Sequence, residues 1–205
     1  MGPGCVLLVE DDPALREALE DLIRSIGLEV RAYGNVADFL EAGRPDTPCC
    51  LVADVRLPGQ SGFDLQAQLA AWPRPPPIVF VTGHGDVMMS VRAMKAGAIE
   101  FLQKPFRDQD LLDAIQLGIE RDRVQLAEFA ALSGYSTRRE SLTPRERQVM
   151  ALVTQGRLNK QIAHDMGLSE VTVKAHRGQV MRKMGARSLA DLVRIADRLD
   201  GQGEA

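Results

Sequence analysis

Five predicted strands, at about residues 5–9, 29–33, 49–54, 77–82 and 100–103, alternate with helical periodicities at about 13–26, 35–42, 62–71, 86–96 and 107–120. That alternation constrains the fold more than any other feature of the chain. Strands joined through helices pair in parallel, because each crossover has room for a helix that packs back onto the sheet. Val6-Leu7-Leu8-Val9 and Ile78-Val79-Phe80-Val81 are apolar without alternation, as strands covered on both faces are. The first half is therefore predicted to be α/β, a doubly wound domain around a five-stranded parallel sheet. Its first helix opens on Pro13, suited to a first turn, and Leu15, Leu19, Leu22, Ile23 and Ile26 recur at helical spacing.

From Arg107 the helical repeat runs on through Leu111, Leu112, Ile115, Leu117 and Ile119 into Leu126, Phe129 and Leu132. At polar Ser133-Gly134-Tyr135-Ser136-Thr137 it is expected to stop. A helical linker is stiffer than a Gly/Ser tether and can transmit orientation. Beyond it every signal is helical. Thr143-Pro144-Arg145-Glu146 sets a capping Thr, a Pro in the first turn and a Glu three residues after the cap, and Gly156 ends that helix. Asn159–Met166 makes a short second helix, Gly167-Leu168 a tight turn, and Ser169 caps a third that reaches Met184. Ser188 caps a fourth, with Leu189, Leu192, Val193, Ile195 and Ala196 for core. Two short helices around a Gly-containing turn match the helix-turn-helix, whose second helix enters the major groove. The predicted organisation is an α/β domain over 1–121, a helical linker over 122–138, a small all-α four-helix helix-turn-helix domain over 139–200 and a disordered tail over 201–205.

Charge divides along the same line. Residues 1–123 hold 12 Lys+Arg against 19 Asp+Glu, a net of −7, whereas residues 139–205 hold 12 against 8, a net of +4, so the whole-chain value of −3 hides the asymmetry. An acidic half joined to a basic half points to nucleic acid at the basic end. On the third C-terminal helix Val173, Val180 and Met184 share one face, Lys174 and Gly178 face outward with Arg177 beside them, and Arg182, Lys183 and Arg187 follow. Residues 139–187 carry 10 Lys+Arg and 4 Asp+Glu, a net of +6, which suits contact with a phosphate backbone.

No signal peptide or membrane-length apolar stretch is read from the sequence, so an intracellular, soluble protein is expected. Cys5, Cys49 and Cys50 lie in or beside predicted buried strands without metal-ligand spacing, which favours structural thiols in a reducing compartment. A vicinal redox pair at Cys49-Cys50 is the alternative.

Chemistry gathers where the predicted strands end, the edge at which parallel sheets place their ligand sites. The first run ends in Glu10-Asp11-Asp12 and the third in Asp54. Carboxylates this close repel unless a cation intervenes, and oxygen-only ligation with few dedicated side chains suits Mg²⁺. The fourth run ends on the hydroxyl of Thr82 and the fifth on Lys104-Pro105. A metal, a hydroxyl and an ammonium around one nucleophilic Asp form a kit for phosphoryl transfer, which depends largely on positioning and charge neutralisation. The glycines of Pro58-Gly59-Gln60-Ser61-Gly62 either bring backbone close to this pocket or simply make a surface turn.

These residues resemble a two-component response regulator of the FixJ/NarL type, a receiver domain followed by a LuxR-type helix-turn-helix. Val79-Phe80-Val81-Thr82-Gly83-His84-Gly85-Asp86, Met94-Lys95-Ala96-Gly97-Ala98 and Leu142-Thr143-Pro144-Arg145-Glu146-Arg147 are similar to the FixJ branch in particular. The resemblance implies that Asp54 accepts phosphate from a partner sensor histidine kinase. It implies that Glu10, Asp11 and Asp54 surround Mg²⁺ with the Arg56 backbone carbonyl, that Thr82 and Lys104 bind phosphoryl oxygens, and that Phe101 is the switch aromatic. A cis Lys104–Pro105 peptide is implied as well. Candidate DNA contacts are Thr172, Lys174, Ala175, Arg177, Gly178, Arg182 and Lys183. Two positions depart from the family pattern. Glu10 stands where many relatives carry Asp, keeping the charge and lengthening the reach, and Gly178 stands where relatives often carry a polar or basic residue.

The expected protein is thus a cytoplasmic, phosphorylation-controlled transcription regulator and not an enzyme. Phosphoryl arrival would add about two negative charges beside Thr82 and Lys104, draw Thr82 inward and let Phe101 follow. The region of Met88, Met89 and Met94 is a dimer contact on this reading, or core. A phosphorylated homodimer would place two recognition helices on double-stranded promoter DNA about one helical turn apart, with RNA polymerase a further candidate partner. An Asp-based phosphatase of the haloacid-dehalogenase kind would want a second Asp at position 56, which is Arg. A constitutive DNA-binding protein with an idle receiver is the third reading, against which the intact acid pocket stands.

Overall fold

The computed structural model describes residues 4–83 and 86–200, which divide into two compact units, Met1–Ala127 and Glu128–Ala205. The tail expected at 201–205 and the His84-Gly85 step of the family-like motif lie outside the described residues. The first unit holds β1 (Cys5–Val9), α1 (Pro13–Ser25), β2 (Glu29–Tyr33), α2 (Val36–Ala42), β3 (Cys49–Asp54), α3 (Gly62–Leu69), β4 (Ile78–Thr82), α4 (Val87–Lys95), β5 (Glu100–Gln103) and the beginning of α5 (Asp108–Glu140). Every strand pair is parallel, in the order β2-β1-β3-β4-β5. The chain leaves β1 toward β2 on one side and continues with β3 on the other, so a crevice opens beyond the carboxyl ends of β1 and β3. All residues of β1, β3 and β4 are buried, while the edge strands β2 and β5 are partly exposed.

Period-two alternation splits the sheet's side chains between two cores. Phe39, Phe63, Leu65, Leu69 and Phe80 belong to one, and Leu19, Ile23, Leu111, Ile115 and Ile119 to the other. Truncating a fully buried Phe such as Phe39 or Phe80 to Ala would cost about 3–5 kcal/mol. The same alternation separates Cys49 from Cys50, which pack into opposite cores. Both are buried and free, and burial pushes the Cys49 thiol up to about 12, so the redox-pair alternative finds neither an accessible thiolate nor a facing partner. Ile26 drops out of the expected apolar stripe: α1 ends at Ser25, and Ile26 is its half-exposed C-cap.

The second unit contains α6 (Pro144–Thr154), α7 (Asn159–Met166), α8 (Glu170–Met184) and α9 (Leu189–Asp200). They enclose Val149, Val153, Ile162, Val173, Val180, Met184, Leu192 and Ile195. The Thr143 hydroxyl accepts from the Glu146 N–H and the Glu146 carboxylate accepts from the Thr143 N–H, closing the anticipated capping box. Gly167, at φ 64, ends α7 in a left-handed conformation that opens the helix-turn-helix corner. The helix expected to stop at Ser133–Thr137 instead continues to Glu140. There the Thr137 hydroxyl donates back to the Ser133 carbonyl, and Tyr135 packs against the helical core, so tertiary contact outweighs the local stop signal. No helix among the described residues is long and apolar enough to cross a membrane.

Candidate functional site

The carboxyl ends of β1, β3, β4 and β5 bring Glu10, Asp54, Thr82 and Lys104 together. Glu10 is fixed one residue past β1: its N–H donates to the Tyr33 carbonyl, and its own carbonyl accepts from Arg16 at 2.7 Å. Glu10 as a whole is 1% exposed. Asp54 ends β3, with Oδ1 accepting from the Arg56 N–H at 2.8 Å. Lys104 Nζ donates to Glu10 Oε2 and to Asp54 Oδ2, both at 2.8 Å, so one ammonium stands as the cation between two carboxylates. Its backbone N–H donates to the carbonyl of fully buried Thr82, which ties β5 to β4 at the same level. The Lys104–Pro105 peptide is cis, as the family resemblance implied.

Burial raises the pKa of Glu10, and Lys104 only partly counters it. Burial also opposes the charge on Lys104, but the hydrogen bonds and charges of Asp54 and Glu10 together prevail and raise its pKa. Phe101 is half-buried, with its ring 6.5 Å from that of Phe80. Phe80 in turn contacts Phe63 at 5.3 Å. The two roles considered for the turn glycines fall to different residues. Gly59, at φ 81, makes the turn, whereas a Cβ on Gly62 would lie 2.5 Å from the Asp54 carbonyl oxygen, so only glycine lets α3 approach β3 this closely.

Asp12 corrects the sequence reading of an acid cluster of four. Its carboxylate caps α1, accepting from the N–H groups of Ala14 and Leu15 at 2.9 and 3.2 Å. Asp11 is exposed at the rim. Glu10 and Asp54 offer hard carboxylate oxygens of the kind Mg²⁺ takes, and the Lys104 ammonium between them marks the position where the carboxylates call for positive charge. Among the described residues no three acidic, His or Cys side chains converge into a complete metal cage. Mg²⁺ does not require one, since it keeps several waters. On α4, Val87, Met88, Val91 and Met94 are exposed, while Met89 packs against the core.

In the second unit α8 buries Val173, Val180 and Met184 and exposes Lys174, Ala175, Gly178 and Arg182. Thr172 is tied to the Ser169 cap through its N–H and hydroxyl. Two of the expected DNA contacts are engaged elsewhere. Arg177 is half-buried and donates to Asn159 of α7 at 3.0 Å, bracing one helix of the motif against the other. Lys183 donates to Glu146 Oε2 at 2.7 Å and to the Ser141 carbonyl at 3.1 Å. The sequence reading also passed over Val171. It lies on the outward face and is 79% exposed, a position that helical periodicity from Lys174 and Gly178 would have found.

The parallel sheet with its acid-and-lysine edge, followed by a helix-turn-helix, defines a phosphorelay-type receiver joined to a DNA-binding module. The response regulator receiver domain family matches residues 6–116, and the luxR family of bacterial regulatory proteins matches residues 140–196. The chain belongs to the response regulators that couple a receiver to a LuxR-type DNA-binding domain. It is 52% identical to nodulation protein W of Bradyrhizobium diazoefficiens, with 95% of this chain and 86% of the relative covered. It is 43% identical to the transcriptional regulatory protein FixJ of Azorhizobium caulinodans, covering 93% and 90%. Among solved structures, the response regulator StyR aligns with a TM-score of 0.83 at 47% identity over 96% of this chain and 100% of that one. Full-length FixJ from B. japonicum aligns at 0.57 and 39% over 98% and 99%.

Proposed function

We propose that Asp54 accepts a phosphoryl group from a sensor histidine kinase and that this event promotes dimerisation and sequence-specific binding to promoter DNA. The observation that carries the reading is the Lys104 ammonium held 2.8 Å from both Asp54 and Glu10 at the sheet's carboxyl edge. Among the described residues each Asp54 oxygen receives one donor, so the carboxylate can attack phosphorus while the Arg56 N–H and Lys104 hold its orientation. Glu10, Asp11, Asp54 and the Arg56 carbonyl would hold Mg²⁺, which supplies charge neutralisation for the transferred group. Lys104 would then pair with a phosphoryl oxygen, and Thr82 would offer its hydroxyl.

Phe101 reports the change through its contact with Phe80, and exposed Met88 and Met94 belong to the surface through which two copies pair. Position 56 is Arg, so no acid there protonates a leaving group, which supports a switch over a turning-over phosphatase. RNA polymerase is a further partner on this reading, and the cytoplasm is where kinase and promoter meet it. Incubation with labelled acetyl phosphate and Mg²⁺ tests the assignment. Wild type should take up label, whereas Asp54→Asn should take up none and lose phosphate-dependent DNA affinity. Equal labelling of Asp54→Asn would place the acceptor elsewhere.

A further inference from the structure

The recognition helix α8 carries an aliphatic side chain that its own fold does not use. Val171 is 79% exposed, the most exposed of the large hydrophobic side chains among the described residues. With about 100° of rotation per residue, Lys174, Ala175, Gly178 and Arg182 all fall within about 60° of its direction, and Val173, Val180 and Met184 lie on the opposite side. Val171 therefore sits in the middle of the DNA-facing stripe, in the first turn of the helix. That is the end of a recognition helix whose residues reach base edges. A β-branched residue at an exposed helix position contributes less to helix stability than Ala or Leu would, and the described residues of the second unit leave it uncovered.

We infer that Val171 reads a thymine by packing against its 5-methyl group in the major groove, so that it is a specificity-determining residue of the DNA-binding module. The inference rests on the DNA-binding reading of α8. Thymine alone presents a methyl at the major-groove edge; the other bases present donors and acceptors there. Valine can return no hydrogen bond, so placing it over an adenine, guanine or cytosine edge would desolvate polar groups without compensation, and the contact discriminates in both directions. Its χ1 is confined largely to one rotamer in a helix, so little freedom is lost on contact. The stripe supplies the approach: Lys174 and Arg182 flank it with positive charge, and Gly178, two turns on, leaves space that no neighbouring atom fills within 4 Å.

The test uses the full chain treated with acetyl phosphate and a duplex that it selects from a random-sequence DNA library. Each thymine of the selected site is replaced singly by uracil, which keeps the base pair and removes only the methyl. One thymine in each half-site should cost wild type about fourfold in affinity when replaced, the effect of one buried methyl. Val171→Ala should bind the thymine duplex more weakly and be indifferent to that replacement, whereas Val171→Thr, which keeps a branched methyl, should retain the sensitivity. A selected duplex that no uracil replacement weakens, or a loss that persists unchanged in Val171→Ala, overturns the Val171 assignment alone. Failure to select any sequence overturns the DNA-binding reading together with it.

Discussion

Each unit of this protein contains a buried glutamate joined to a lysine, and the two pairs do opposite work. In the receiver, Glu10 and Lys104 meet at the ends of β1 and β5, with Asp54 as third partner and with burial raising the pKa of Glu10. In the helix-turn-helix unit, Glu146 and Lys183 meet at 2.7 Å, and the Lys183 and Thr143 hydrogen bonds hold the Glu146 pKa below the usual carboxylate range. The surroundings of the first carboxylate disfavour its charged form. Those of the second favour it. A buried carboxylate that the fold penalises is poised to take a cation or to respond to a new charge, whereas one satisfied by a helix cap and an ammonium is architecture.

The largest expected contrast comes from removing each ammonium in turn. Lys104→Ala takes the ammonium from between Glu10 and Asp54 and, on the proposed function, the partner of the incoming phosphoryl group, so acetyl phosphate labelling or its coupling to DNA binding should fall by at least about tenfold. Lys183→Ala should label as wild type does and show its effect as a lower melting temperature of the C-terminal unit. Should both variants lose phosphorylation response equally, the division between a working pair and a structural pair would not hold.

A smaller contrast lies in stability against pH. Glu146 has a lowered folded pKa, so its contribution is present above the ordinary value of 4.5 and is lost as pH falls through the lowered one. Glu146→Gln should therefore cost about 1 kcal/mol at pH 7, typical of a helix cap, and the difference from wild type should close on acidification below pH 4.5. Glu10 runs the other way. Its folded pKa is raised, so the ionised group is unfavourable at neutral pH, and Glu10→Gln should be as stable as wild type or more so at pH 7, converging with it as pH falls. Thermal denaturation of the two variants across pH 3.5 to 7 gives both slopes. A Glu10→Gln protein clearly less stable at pH 7 would show that the receiver pair is structural too.

The smallest expected effect belongs to Gly178. Apart from its own stretch of helix backbone, no described group comes within 4 Å of where its Cβ would be, so Gly178→Ala should stabilise the full chain by up to about 1 kcal/mol through helix propensity alone. If close approach to DNA is why the glycine is there, the same variant should bind its selected duplex several-fold more weakly. A variant both more stable and equally tight would leave the glycine without a role in recognition.

Much of this is legible in the amino-acid sequence. Strand ends show as apolar runs that stop at Glu10, Asp54, Thr82 and Lys104, and parallel topology carries strand ends to one edge, so the order of residues along the chain already named the pocket's members. The capping box at Thr143 and Glu146 was equally plain, because both partners lie within one helical turn. What misled was chemistry with two local solutions. Asp12 follows two acids and precedes Pro13, and a carboxylate in that position can join a pocket or cap a helix; the neighbouring N–H groups of Ala14 and Leu15 took it.

Sequence by itself determined which elements form and which faces are apolar, since periodicity and caps are properties of neighbours a few residues apart. Only the tertiary structure decided which charges are spent inside. Asp122, which the sequence assigned to the linker, is fully buried, with Oδ2 accepting from Arg44 at 2.7 Å and from the Cys49 N–H at 2.8 Å. Lys183, which the sequence assigned to DNA, turns instead to Glu146. Those partners stand tens of residues away along the chain, and a side chain several bonds long can serve a distant carboxylate or the solvent with no change in the local pattern. The choice is made by which groups the packed elements bring within hydrogen-bond reach, a distance that no spacing in the sequence encodes.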